Sequence, residues 1–154
     1  MTMHGGSPSS TRSTPRSERG TMPTDHEKTI NTVFERLSAR DFAGVVEFLH
    51  DDIEFELAYA PAGFEMPVRG RAAMEKLLAD VIGGMFDPFQ IGVTTSYPGA
   101  DGQTVVAEYS SDGTVKHNGN SYQIRYVGIF RFEDDLIRFW REYHDSETAT
   151  KALA

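Results

Sequence analysis

Apolar and polar positions alternate with two different periods along this chain, and the change of period marks its elements. Behind Thr24-Asp25-His26-Glu27, which has the Thr-x-x-Glu form of a helix-capping box, Ile30, Val33, Phe34 and Leu37 recur at helical spacing. They predict a first helix to about Ala39. Asp41 is placed to cap a second, shorter helix carrying Phe42, Val45, Val46 and Leu49 on one face. The period then drops to two. Ile53, Phe55, Leu57 and Tyr59 face inward and Glu54 and Glu56 face water, as in a half-buried strand.

Pro61 to Pro67 reads as a loop, and Arg69-Gly70-Arg71 leads into a third helix. Its apolar stripe is Met74, Leu77, Leu78, Val81 and Ile82, and Gly83-Gly84 stops it. Strands follow over Phe89–Tyr97 and Thr104 to about Lys116, with turns at Pro98–Gly102 and His117–Asn120. A closing hairpin begins at Tyr122 and turns at Glu133-Asp134-Asp135. The order helix, helix, strand, helix, then four strands in meander predicts an α+β domain over residues 24–154, its curved sheet wrapped over the helices.

The hairpin holds the chemically loaded positions. One parity of its first strand carries Tyr122, Ile124, Tyr126, Gly128, Phe130 and Phe132; one parity of its second carries Arg138, Trp140, Glu142 and His144. Phe55, Leu57 and Tyr59 from the first strand and Ala107, Tyr109 and Ser111 from the fourth segment converge on the same face, with Val33, Leu37, Met74 and Leu77 covering it from the helices. A mostly apolar, aromatic hollow with a few hydroxyls and one carboxylate has the make-up of a small-molecule site. Glu142 in such a hollow is desolvated, its pKa is raised, and it is poised to take or give a proton. Tyr122 is the second candidate for the chemistry. Tyr59, Tyr109, Tyr126, Trp140, His144, Leu57, Phe55, Leu77 and Val33 are the candidates for lining the substrate.

Composition narrows the classes. In 154 residues, 39% hydrophobic and 25% charged, there is material for one ordinary globular domain. The formal net charge of −8 argues against a nucleic-acid partner. No apolar run approaches the ~18 residues of a membrane span, and the N-terminus lacks a signal peptide's apolar segment. The absence of cysteine excludes disulfides and thiolate chemistry and fits a cytoplasmic location. Residues 1–23, rich in Ser, Thr, Gly, Pro and Arg, read as a disordered tail. Ligand-type side chains at His50-Asp51-Asp52 and Tyr143-His144-Asp145 match no metal-binding spacing, so no metal is expected.

The words FLHDDIEFE, VRGRAAM and GIFRFEDDLIRFWREYHD, behind the capped first helix, resemble the SnoaL-like branch of the nuclear-transport-factor-2-like superfamily over roughly residues 25–148. The resemblance implies a cone-shaped α+β fold with a mixed or antiparallel sheet, a homodimer formed through that sheet, and a small hydrophobic ligand bound without a cofactor. It also bears on the reaction. The catalytic positions of ketosteroid isomerases fall on Val33, Leu57 and Gly128, which excludes that chemistry in its usual form. Two of the three epoxide-hydrolase positions fall on Tyr109 and Ser111, and the third on Glu142. The functional Glu of the phenazine-biosynthesis relatives coincides with Glu142 and a pocket Tyr with Tyr122, while their helix-borne His corresponds to Leu77. A cofactor-independent isomerase, cyclase or condensing enzyme acting on a cyclic or aromatic substrate is the leading expectation. A ligand-binding or accessory protein without catalysis is the alternative.

Overall fold

A computed structural model describes residues 22–154. Of the expected disordered tail, residues 1–21 lie outside the described residues. Among the described residues four helices and six strands follow in the order α1 (Asp25–Ser38), α2 (Phe42–Val46), β1 (Leu49–Leu57), β2 (Val68–Arg69), α3 (Arg71–Leu78), β3 (Phe86–Pro98), β4 (Thr104–Val115), β5 (Ser121–Glu133), β6 (Leu136–His144) and α4 (Ser146–Leu153). A π-helical stretch, Ala79–Gly83, extends α3. The six strands form one sheet in the order β2-β1-β6-β5-β4-β3. The meander β3 to β6 is antiparallel throughout, and β6 closes against β1 in parallel. The fold is the mixed-sheet α+β cone that the sequence led us to expect.

Local chemistry sets the helix ends. The Thr24 hydroxyl accepts from the Glu27 amide at 3.2 Å, and the Glu27 carboxylate accepts from the Thr24 amide at 2.9 Å, so the capping box is complete. Asp41 accepts from the Gly44 amide at 2.9 Å and starts α2. Helix α1 is tied to β3 at both ends: Ser96 donates to Glu27, and Ser38 exchanges hydrogen bonds with the backbone of Ile91. Its apolar stripe, Ile30, Val33, Phe34 and Leu37, is sealed in the core. Arg40 reaches across to the Gly83 carbonyl at 2.9 Å and holds the end of the α3 extension.

The structure departs from the sequence reading in several places. Leu49, placed by its spacing on the second helix, opens β1. Residues 146–153 form a helix not foreseen, started by Asp145, whose side chain accepts from the Thr148 amide at 3.1 Å. Strand β2, only two residues long, pairs with β1. Strand β3 starts at Phe86 rather than Phe89. Arg138 does not share a face with Trp140. The β5–β6 register pairs Arg131 with Phe139 but Phe132 with Ile137, so a bulge falls at Arg138. Ile137 is thereby turned into the core, and Arg138 turns away to donate to the Asp52 carbonyl at 2.7 Å. The hairpin turn itself has positive φ at both Asp134 and Asp135, the geometry of a primed two-residue turn.

Candidate active site

Glu142 sits in the interior of the sheet. Its backbone pairs with Gly128 of β5 on one side and with Leu57 of β1 on the other, and its carbonyl accepts from the Ala58 amide at 2.9 Å. Because the bulge precedes it, Trp140, Glu142 and His144 keep one common face. All three line a cavity of about 350 Å³, within the usual range of ligand pockets. Phe55 and Leu57 of β1, Leu77 of α3, and Tyr122 and Tyr126 of β5 line it as well. Three further walls were not foreseen. Strand β3 contributes Phe86, Phe89 and Ile91. The loop between β1 and β2 contributes Pro61, Phe64 and Met66, and α4 contributes Ser146, Ala149, Thr150 and Leu153. The tyrosines and the carboxylate were legible from strand parity; the α4 wall had only the Asp145-x-x-Thr148 cap as its signal.

Tyr109 has a different role from the one expected. It is 2% exposed and lies behind Glu142 rather than against the cavity. Its ring packs on Phe34 of α1 at 4.6 Å and stacks on Tyr126 at 5.0 Å. From there its hydroxyl donates to Glu142 Oε2 at 2.5 Å and accepts from the Trp140 indole N–H at 3.2 Å. The ring can reach because Gly128 has no side chain: a Cβ there would stand 2.7 Å from the Tyr109 hydroxyl and 2.8 Å from Phe130. Val33 is also displaced from its expected place. It is fully buried in the core and does not line the cavity. Tyr59, expected to face inward, is 60% exposed beyond the end of β1, at the cavity mouth, with its ring edge-on to Tyr143.

Burial governs the electrostatics. It pushes the Glu142 carboxyl up from its ordinary 4.5 to about 7, against the Tyr109 hydrogen bond, which pulls it down. The Tyr109 hydroxyl is driven well above 10 by burial and by the neighbouring carboxylate, so it stays a donor. Burial pushes Tyr122 up to about 12 and raises Tyr126 further; the Tyr126 hydroxyl is 2.7 Å from Ser111 Oγ. Burial lowers His144 despite the nearby Asp145, and its buried Nδ1 has no hydrogen-bond partner. A carboxyl near neutrality beside a neutral imidazole and two protonated phenols can exchange a proton with a bound molecule. Away from this cavity, His50, Glu133 and Asp134 bring ligand-type atoms within 4.8 Å of one another, with His50 Nε2 2.9 Å from Glu133; these groups sit largely at the surface by the hairpin turn.

A curved α+β sheet whose concave face holds an aromatic cavity with a sunken carboxyl defines a small-molecule-binding cone fold. The SnoaL-like domain model matches residues 30–140, and the chain belongs to that family. The Bacillus subtilis protein YesE, itself uncharacterised, is 28% identical over 121 residues, covering 75% of this chain and 78% of YesE. The crystal structure of a proposed isomerase from Bacillus subtilis superposes with a TM-score of 0.77 at 25% identity, covering 83% of this chain and 91% of that one. An epoxide hydrolase of limonene-epoxide-hydrolase type from M. tuberculosis superposes with a TM-score of 0.63 at 26% identity, covering 84% and 89%. No helix among the described residues is long and apolar enough to cross a membrane.

Proposed function

We propose that this protein is a cofactor-independent acid/base enzyme acting on a small hydrophobic cyclic or aromatic substrate, with Glu142 as the group that moves the proton. The observation that carries this reading is the carboxyl of Glu142, gripped through one oxygen by Tyr109 and opening with the rest of its surface onto an apolar cavity. Tyr122 is the hydroxyl that orients the substrate's polar atom and meets a developing enolate. Phe55, Leu57, Leu77, Tyr126 and Trp140 hold the rings, with His144 and Tyr59 toward the rim. Removing a proton next to a carbonyl is the step shared by isomerisation, cyclisation and condensation, so the reading covers all three. Secondary metabolism in the cytoplasm is the setting it fits. A homodimer through the outer face of the sheet is supported by the exposed Val127 on β5 and Tyr97 on β3.

Enolisation can be read without the natural substrate. A panel of cyclic ketones, 2-tetralone among them, is incubated in D₂O and α-proton exchange is followed by NMR. Wild-type protein accelerates exchange over the Glu142→Gln variant by about 10²–10⁴-fold, the usual contribution of a positioned base. Equal rates would remove Glu142 from the chemistry and leave a ligand-binding protein without catalysis.

A further inference from the structure

Charge inside the cavity is unbalanced, and the imbalance specifies a ligand. Among the described residues no Lys or Arg lines the cavity. The nearest guanidinium on the same strand, Arg141, points to the opposite face and is committed to Glu56 at 2.6 Å. Glu142 Oε2 is taken by Tyr109; among the described residues Oε1 accepts no hydrogen bond, and Glu142 lines the cavity. The titratable groups around it are Tyr109 from β4, Tyr122 and Tyr126 from β5, and His144 from β6, with Tyr59 at the mouth beyond β1. Burial keeps the three inner phenols protonated and His144 neutral, and α3 and α4 bring no charged side chain to the cavity.

We propose that the ligand of this cavity carries a basic nitrogen, bound as an ammonium cation beside the Glu142 carboxylate with its apolar ring seated among Phe55, Trp140, Tyr122 and Tyr126. A buried carboxylate is costly unless a positive charge is brought to it, and here only the ligand can bring one. The aromatic walls favour the same sign, because ring faces attract cations and repel anions. A ligand carboxylate would instead be set against Glu142 with no cation to bridge the two. This inference deepens the acid/base reading and rests on the same cavity, but it concerns the charge of what enters, which that reading leaves open.

Three probes of one size and three charges test it: N,N-dimethylbenzylammonium, the neutral isobutylbenzene and phenylacetate. Binding is followed by the fluorescence of Trp140, the chain's single tryptophan and a wall of the cavity. At pH 8 the cation binds about tenfold tighter than the neutral probe and the anion binds weakest, and in Glu142→Gln the cation's advantage falls to about threefold or less. In the wild type, affinity for the cation climbs about tenfold between pH 6 and pH 8 as the carboxyl ionises, a readout that needs no variant. Equal or tighter binding of the neutral probe or the anion overturns the inference, as does an advantage that survives in Glu142→Gln. Either result leaves the exchange experiment, and the acid/base reading it tests, untouched. Failure of all three probes to bind overturns it as well.

Discussion

Replacing Glu142 by Gln tests the burial of its carboxyl through stability alone, with no ligand required. The carboxyl titrates near 4.5 when solvated and is pushed by burial to about 7 in the fold. The folded state therefore holds a proton that the unfolded chain has released, and stability falls as pH rises from about 4.5 through 7. At about 1.4 kcal/mol per pH unit, the full loss above pH 8 is about 3 kcal/mol. Gln keeps the shape and can still accept from Tyr109, but it has no proton to lose. His144 works in the opposite sense: burial holds it below its ordinary value, so its own effect adds stability as pH rises through the unfolded pKa. The difference between wild type and variant cancels that opposing slope. Urea unfolding of both proteins at pH 5, 6, 7 and 8, read by Trp140 fluorescence, is the assay. The variant should match the wild type to within about 1 kcal/mol at pH 5 and gain about 2–3 kcal/mol on it by pH 8. A difference that stays flat with pH, or moves against the variant, would show the carboxyl to be solvated and refute the reasoning.

Tyr109→Phe removes the one hydrogen bond to the carboxylate among the described residues without emptying the space. A bond to a charged group is worth about 1.5–3 kcal/mol, so the Glu142 pKa should climb by about one to two pH units, seen by ¹³C NMR titration of its side-chain carboxyl. A fall, or no change, would mean that Tyr109 does not support the ionised form. Gly128→Ala places a methyl group 2.7 Å from the Tyr109 hydroxyl and 2.8 Å from Phe130. Both rings are wedged in the core, so the variant should lose about 1–3 kcal/mol in urea unfolding; a neutral effect would show that the rings have room to move.

Strand and helix placement were readable because the chemistry that sets them is local. A Thr-x-x-Glu box, an Asp cap and a run of alternating residues each act within a few positions, and α1, α2, β1 and the meander formed around those signals, although β1 begins at Leu49, which its spacing had placed on α2, and ends at Leu57. Counting by twos stopped working at Arg138, where two residues of β6 stand against one of β5. The count from Trp140 to His144 survived because those residues lie beyond the bulge. Helix α4 was missed for a related reason. Its eight residues, SETATKAL, hold little to bury, so its apolar stripe is faint beside its cap.

Tyr109 and Val33 show what a face alone does not tell. Parity correctly turned Tyr109 inward, and spacing correctly turned Val33 toward the sheet, but inward includes both the packed core and the open cavity. What separates them is the covering element. Helix α1 lies directly over Tyr109, with Phe34 at 4.6 Å, and with Val33 fills that half of the cone. Over Tyr122, Tyr126 and the cavity side of Glu142 the cover is set back: α3, α4 and the 61–67 loop stand around the hollow rather than in it. The same boundary runs through the carboxyl of Glu142. One of its oxygens is held by the core through Tyr109, and its other is left to whatever the cavity admits. A buried acid divided in this way is both fixed in position and free to react, which is the physical condition that the proposed proton transfer requires.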